Sequence, residues 1–374
     1  MIPFIDLKAQ YARIAEPVEA AVLSVMRSGG YILGPVVEAL EARLAAFAGS
    51  RHCVSCASGT DALVMALMAK GVGPGDAVFT VPFTFMASAE AIATVGATPV
   101  FVDIEEGSFN IDPALLEAAI AAHDNSALTP KGIIAVDLFG LPADYAAINR
   151  IAAKHGLFVI EDAAQSFGAS AENRRAGSLA EIGCTSFFPA KPLGCYGDGG
   201  AIFCDDAELD TLLRSIRVHG QGSDKYENVR MGITGRLDAI QAAVLNVKLD
   251  IFEDEIAARQ RVAQRYDAAI AAAGIAVRTP PVPAGLVSAW AQYTLVAQSA
   301  EARAAFQAKL AEREVPTMIY YPKGLHEQLA FASLGHKRGD FPVTEAMADR
   351  VFSLPMHPYL SDDQIDQIVA ALAA

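Results

Sequence analysis

Val159-Ile160-Glu161-Asp162-Ala163-Ala164-Gln165 is an apolar run that breaks into two acids, and further on stands Ser186-Phe187-Phe188-Pro189-Ala190-Lys191-Pro192-Leu193-Gly194. The first stretch predicts a strand that delivers a carboxylate at its carboxyl end. The second places a lone lysine in an apolar loop flanked by glycine. Open α/β sheets bind ligands just beyond the carboxyl ends of their strands, so a strand-end acid followed by such a lysine points to a site there.

Outward from this pair, residues 50 to 205 alternate between apolar runs and helical patterns, which predicts an α/β layered domain. Strands are expected at His52 to Cys56, Ala77 to Val81, Thr98 to Val102, Gly132 to Val136, Leu157 to Glu161, Cys184 to Phe188 and Gly200 to Cys204. Helices are expected to begin near Gly59, Thr84, Asp112, Ala143 and Asp205. Asp112-Pro113 joins a capping residue to a proline at the first helical position. One long helical stretch is predicted from Leu237 to Ala273. The prolines of Thr279-Pro280-Pro281-Val282-Pro283 mark a hinge. Beyond it a strand is expected at Gln292 to Val296, a helix at Ala300 to Arg313, a strand at Pro316 to Tyr321 and a last helix from Ser361. The division is a large domain over 1–236, a linking helix region over 237–274 and a small α+β domain over 275–374.

With 374 residues and 53% hydrophobic content, the chain can bury a large core. Its net charge of -14 argues against non-specific nucleic-acid binding. No apolar stretch is long enough to span a bilayer, and Met1-Ile2-Pro3-Phe4-Ile5-Asp6-Leu7-Lys8 lacks a signal-peptide layout, so a cytoplasmic protein is expected. The five cysteines fit free thiols. Cys53-Val54-Ser55-Cys56 matches a C-x-x-C spacing, but with no second pair it reads as buried small side chains rather than a zinc or redox site, and no metal is expected.

Lysine and strand-end acid together suit pyridoxal phosphate (PLP), which needs a lysine for its Schiff base and an acid to keep its pyridine nitrogen protonated. Two more strand-end segments carry matching chemistry. In Ala57-Ser58-Gly59-Thr60-Asp61 a turn opens a helix whose free amides would hold a phosphate. In Pro82-Phe83-Thr84-Phe85-Met86-Ala87 an aromatic follows a strand and could lie on a ring. Each has a plain reading alone: a helix cap, a core phenylalanine, or a turn cap for Asp162.

The combination resembles the DegT/DnrJ/EryC1/StrS family of PLP-dependent sugar aminotransferases. The resemblance rests on Phe4-Ile5-Asp6-Leu7, Ser58-Gly59-Thr60-Asp61-Ala62-Leu63, Gly73-Pro74-Gly75-Asp76, Glu161-Asp162-Ala163-Ala164-Gln165, the Lys191 loop, Gly197-Asp198-Gly199-Gly200-Ala201 and Arg236-Leu237-Asp238-Ala239-Ile240-Gln241. It implies the aspartate-aminotransferase type fold (fold type I): a large mixed-sheet α/β domain, a smaller C-terminal α+β domain, and a homodimer with active sites shared at the interface. It further implies that Lys191 is the Schiff-base lysine and that Asp162 pairs with the pyridine nitrogen. Gln165 lies near the ring hydroxyl, Phe85 stacks on the ring, and Gly59, Thr60 and Ser186 hold the phosphate. Thr234 stands where the family usually has an asparagine that reaches the neighbouring subunit's phosphate.

Within the family the wording is most like enzymes that aminate a UDP-linked 3-oxo sugar acid, UDP-2-acetamido-2-deoxy-3-oxo-glucuronate, with glutamate as the implied amino donor, for lipopolysaccharide sugars. A uronate on UDP needs cations. The densest basic stretch runs from Arg214 through Arg217 and His219 to Lys225, Arg230 and Arg236. Arg236 is the candidate for the sugar carboxylate because guanidinium meets carboxylate in bidentate geometry. Arg214 reads as a polar helix face, and His219 is open between binding and surface. Tyr320 and Tyr321 are candidates for lining the sugar pocket. The alternatives are a C-4 aminotransferase for a neutral UDP- or dTDP-keto sugar, a sugar dehydratase that Lys191 counts against, and a non-catalytic regulator on the same fold.

Overall fold

The computed structural model describes residues 2–123, 127–224 and 226–374. Two helices, α1 (Leu7–Ser28) and α2 (Pro35–Ala48), lead into an alternation of β1 (His52–Cys56), α3 (Gly59–Ala69), β2 (Asp76–Thr80), α4 (Ala87–Thr94), β3 (Thr98–Phe101), α5 (Pro113–His123), β4 (Thr129–Val136), α6 (Tyr145–His155) and β5 (Phe158–Asp162). The short strands β6 (Ser170–Ala171) and β7 (Arg174–Arg175) precede β8 (Ile182–Ser186), β9 (Gly200–Cys204) and α7 (Ala207–Ile216). Then follow α8 (Ala239–Leu249), α9 (Phe252–Ala272), β10 (Val277–Arg278), β11 (Leu286–Val287), β12 (Tyr293–Ala297), α10 (Ala300–Glu312), α11 (Pro342–Arg350), β13 (Val351–Leu354) and α12 (Asp362–Ala373).

Seven strands form one sheet in the order β1-β9-β8-β5-β4-β2-β3. Only β9 runs against the others, pairing antiparallel with both β1 and β8. The parallel strands therefore share one carboxyl edge, where Cys56, Asp162 and Ser186 end their strands. Helices cover both faces, so strand residues such as Ile133 and Ile134 are both fully buried, each on its own side. A second core gathers α9, β12, β13 and α12 around the stacked rings of Tyr266 and Tyr293. This part of the chain holds the antiparallel sheet β10-β12-β13, while β11 pairs back to β6.

Asp112 caps α5 by accepting from the amides of Ala114 and Leu115, and Ser361 and Gln364 close a capping box on α12. Two expectations fail. The helical stretch after Leu237 is two helices, broken at Asp250 and Ile251, so that α8 packs on α1 and α2 while α9 turns toward α12. Pro316 to Tyr321 is not a strand but a loop held to β13 by a single bridge between Met318 and Ser353. Pro316 and Pro322 bracket it and deny it ladder donors. All five cysteines are buried and unpaired, and burial pushes the Cys53 and Cys56 thiols up. Among the described residues no metal-binding cluster occurs, and no helix is long and apolar enough to cross a membrane.

Candidate active site

At the carboxyl edge of the large sheet lies a cavity of about 600 Å³. Ser58, Gly59 and Thr60 line one end, together with Ser186. Asp162 and Gln165 line its floor, Phe85 and Phe188 its mouth, and Lys191, Tyr320 and Tyr321 its walls. These come from five separate chain segments, four of them at or just beyond strand ends of the large sheet and the fifth, with Tyr320 and Tyr321, in the loop after α10.

The phosphate-sized end is built by α3. Ser58 caps the helix by accepting from the Asp61 amide at 3.0 Å, and the amides of Gly59 and Thr60 have no acceptor among the described residues. They stand at the positive end of the helix dipole beside the Ser186 hydroxyl, an arrangement that favours an anion. Ser186 Oγ accepts from the Phe188 amide at 3.3 Å, which leaves its proton for a ligand.

Alternation along β5 sends its two terminal acids to opposite faces. Glu161 turns away from the cavity and is satisfied by the amides of Gly177 and Leu179 at 2.6 and 2.8 Å. Asp162 faces inward. Its Oδ2 accepts from the Ser88 hydroxyl at 2.8 Å and its Oδ1 from the Ala164 amide at 3.2 Å. Burial pushes the Asp162 carboxyl above its ordinary value, opposed by those two hydrogen bonds and by the charge of Lys191. Burial also lowers Lys191, with Asp162 pulling the other way. The two form no salt bridge; both line the cavity, and each feels the other's charge. Gln165 is held at both ends of its amide, accepting from the Phe139 amide at 2.8 Å and donating to the Tyr321 hydroxyl at 3.3 Å. Burial raises the Tyr321 phenol, which keeps it protonated.

The basic stretch falls elsewhere. Arg214 and Arg217 form an ion-pair cluster with the buried Glu41, and Arg217 also donates to the Ser55 carbonyl at 2.9 Å, so both serve the fold rather than the cavity. Lys225 lies outside the described residues. Thr234, His219 and Arg236 do not line the cavity. Thr234 Oγ1 and His219 Nε2 are 2.7 Å apart on an exposed loop, and Arg236 sits two residues before the cap of α8 rather than in the helix. Among the described lining residues Lys191 is the only cation, and Asp198 adds a second acid at the rim.

Residue reading alone missed Ser88, the hydroxyl on Asp162, together with Ile5 and Gln292 in the cavity wall. Thr84 and Ser88 are one helical turn apart, the sole local hint of an inward polar stripe. Ile5 arrives because the Phe4 carbonyl accepts from the Met356 amide at 3.2 Å, which draws the N-terminal segment across.

The donor set fits PLP. There is an anion cradle at one end, an acceptor carboxylate on the floor, a lysine whose burial favours the free amine, and an aromatic at the mouth. Comparison with known proteins agrees. The family model for DegT/DnrJ/EryC1/StrS aminotransferases matches residues 12–373. A Pseudomonas aeruginosa protein, UDP-2-acetamido-2-deoxy-3-oxo-D-glucuronate aminotransferase, is 51% identical over 100% of this chain and 99% of its own length. A Geobacillus stearothermophilus protein named pleiotropic regulatory protein is 44% identical over 100% of this chain and 98% of its own. The crystal structure of a DegT DnrJ EryC1 StrS aminotransferase from Brucella abortus superposes with a TM-score of 0.96 at 50% identity, covering 100% and 98% of the two chains. NtdA from Bacillus subtilis, solved with bound cofactor PMP, the aminated form of PLP, gives 0.89 at 28% identity, covering 99% and 82%. A cavity shaped for PLP and a match along nearly the whole chain lead to one assignment: the protein belongs to the DegT/DnrJ/EryC1/StrS family of PLP-dependent aminotransferases.

Proposed function

We propose that the protein transfers an amino group from glutamate to a UDP-linked 3-oxo sugar acid, UDP-2-acetamido-2-deoxy-3-oxo-glucuronate, as a homodimer. The observation that carries the chemistry is Lys191, the one lysine among the described lining residues, sharing a single cavity with Asp162. The substrate reading is supported by full-length similarity to the Pseudomonas aeruginosa aminotransferase.

In this reading Gly59, Thr60 and Ser186 hold the cofactor phosphate, Phe85 covers the ring and Gln165 lies by its hydroxyl. When bound, PLP supplies an electron-poor ring that takes up charge as a substrate carbon loses its proton. Asp162 keeps a proton on the ring nitrogen through its inward carboxylate. Lys191, favoured as the free amine by burial, would hold the cofactor through Nζ and, when free of it, would take and return protons at that atom. Tyr320 and Tyr321 close the sugar side and exclude water.

The cavity's charge bears on the sugar. With Asp162 and Asp198 among its lining residues and Lys191 committed to the cofactor, the cation for a uronate comes from outside the cavity. Exposed apolar side chains occur at the cavity mouth and elsewhere on the surface: Phe188 in the Lys191 loop with Tyr196 just after it, Leu7, Tyr11 and Met26 on α1, and Met231 on the loop leading to Thr234. Such exposure suits a second copy. Pairing there would bring His219, Thr234 and Arg236 to the neighbour's cavity, with Arg236 on the carboxylate and Thr234 near the phosphate.

The test is incubation of PLP-loaded protein with glutamate and a panel of UDP- and dTDP-linked 3- and 4-keto sugars, each with and without a C-6 carboxylate. Amination of the 3-oxo uronate in preference to the rest is expected. Preference for a neutral 4-keto sugar would overturn the substrate. A purified protein without the yellow of bound PLP would favour the regulator reading that the Geobacillus relative's name raises.

A further inference from the structure

Asp162 is held by a two-hydroxyl chain that begins outside its own strand. Ser88 lies in the first turn of α4, and Thr84 lies one turn before it, in the segment leading into that helix. Both are buried, at 1% and 2% exposure. Ser88 Oγ is 2.8 Å from Asp162 Oδ2 and 3.1 Å from Thr84 Oγ1. An ionised carboxylate only accepts, and a serine hydroxyl has one proton, so Ser88 gives that proton to Asp162 and must accept from Thr84. The direction of the chain is thereby fixed: Thr84 to Ser88 to Asp162. The Ala164 amide takes the other carboxylate oxygen. Each oxygen then has one protein donor, which leaves acceptor capacity directed at the cavity.

We propose that Ser88, oriented by Thr84, is the positioning residue that sets the rotamer of Asp162 and keeps its carboxylate an acceptor toward the cofactor's ring nitrogen. The proposal rests on the reading of Asp162 as the ring-nitrogen partner. A hydrogen bond to a buried carboxylate stabilises its charged form, opposing the desolvation that favours the neutral acid. Without Ser88, the carboxylate loses its only side-chain donor among the described residues and is freer both to rotate and to protonate. Either change weakens its hold on a protonated ring. The other titratable groups that face Asp162 are Lys191 in the same cavity, Asp137 at the end of β4, Tyr145 on α6, Cys184 on β8 and Tyr321 in the loop after α10. A substitution at Ser88 leaves all of them in place.

The experiment compares PLP-reconstituted parent, Ser88→Ala, Thr84→Val and Asp162→Asn proteins. It reads the PLP dissociation constant from titration of the stripped proteins and the pH titration of the bound cofactor's visible absorbance. Losing a hydrogen bond to a charged group weakens PLP retention in Ser88→Ala by about tenfold, and its absorbance titration moves in the direction seen for Asp162→Asn. Thr84→Val, nearly isosteric, moves it the same way by less. A purely structural serine would lower the melting temperature and leave the titration at the parent position. Parent-like PLP affinity and titration in Ser88→Ala would overturn the proposal, and the same result in Thr84→Val would remove the part assigned to Thr84. Parent-like behaviour in Asp162→Asn would instead overturn the reading of Asp162 on which the proposal stands.

Discussion

A β-carbon on Gly59 would lie 2.6 Å from the Ser186 β-carbon and 3.2 Å from its Cα, so the first turn of α3 and the end of β8 meet at a distance only glycine tolerates. The contact puts the open amides of α3 beside the Ser186 hydroxyl, and neither group alone makes an anion cradle.

Gly59→Ala therefore forces α3 and β8 apart. Overpacking of this kind costs about 1–3 kcal/mol, and here much of it falls on phosphate binding. Weaker PLP retention by about tenfold is expected, with inorganic phosphate competing less well for the stripped protein. Unchanged PLP affinity, measured by fluorescence titration, would show that the cradle is not where the phosphate sits.

Lys191→Ala is expected to bind PLP without a borohydride-stable adduct and to lose turnover, while other lysines remain unmodified. Peptide mapping after reduction of the parent protein reads this directly. An adduct found on Lys248, which is buried and donates to the Gly194 carbonyl at 2.6 Å behind the same loop, would reassign the site.

Arg236→Ala should weaken a uronate substrate and spare a neutral keto sugar on the same nucleotide. A charge-assisted pair contributes about 1.5–3 kcal/mol, roughly ten- to hundredfold in kcat/KM. Equal losses on both substrates would make Arg236 a structural residue at the approach to α8.

His357 supplies a pH prediction. It is 1% exposed, and burial lowers its imidazole to about 4, with Arg259 adding to the effect and Asp6 opposing it. An unfolded histidine titrates near about 6.5. Between those values the unfolded chain binds a proton the folded chain refuses, so stability falls as pH drops from about 6.5 toward 4 and is fully present above. His357→Gln should flatten that acid limb by up to about 3 kcal/mol. Urea midpoints of the stripped protein from pH 4.5 to 7.5 measure it, and an acid limb as steep as the parent's would rule His357 out.

Sequence alone determined the alternating α/β layering, because strand and helix periodicities are local and survive without a partner. It also singled out Lys191 and Asp162, which the fold brings into one cavity, since each stands in a short apolar context of its own. The caps at Asp112 and Ser361 were legible for the same reason. What it could not determine depends on long-range packing. The break at Asp250 follows from where α8 meets α1 and where α9 meets α12. The loop at Pro316 to Tyr321 looks strand-like in composition, yet only its approach to the large sheet turns Tyr321 onto Gln165. Arg214 reads in sequence as a polar helix face and Arg217 as part of a basic stretch, and only the fold brings Glu41 beneath both. Ser88 stands 74 positions before Asp162, and no local pattern links a serine on α4 to an acid on β5. A hydrogen bond between separate elements exists only once the sheet order has placed their ends together, and that order is a property of the whole packed chain.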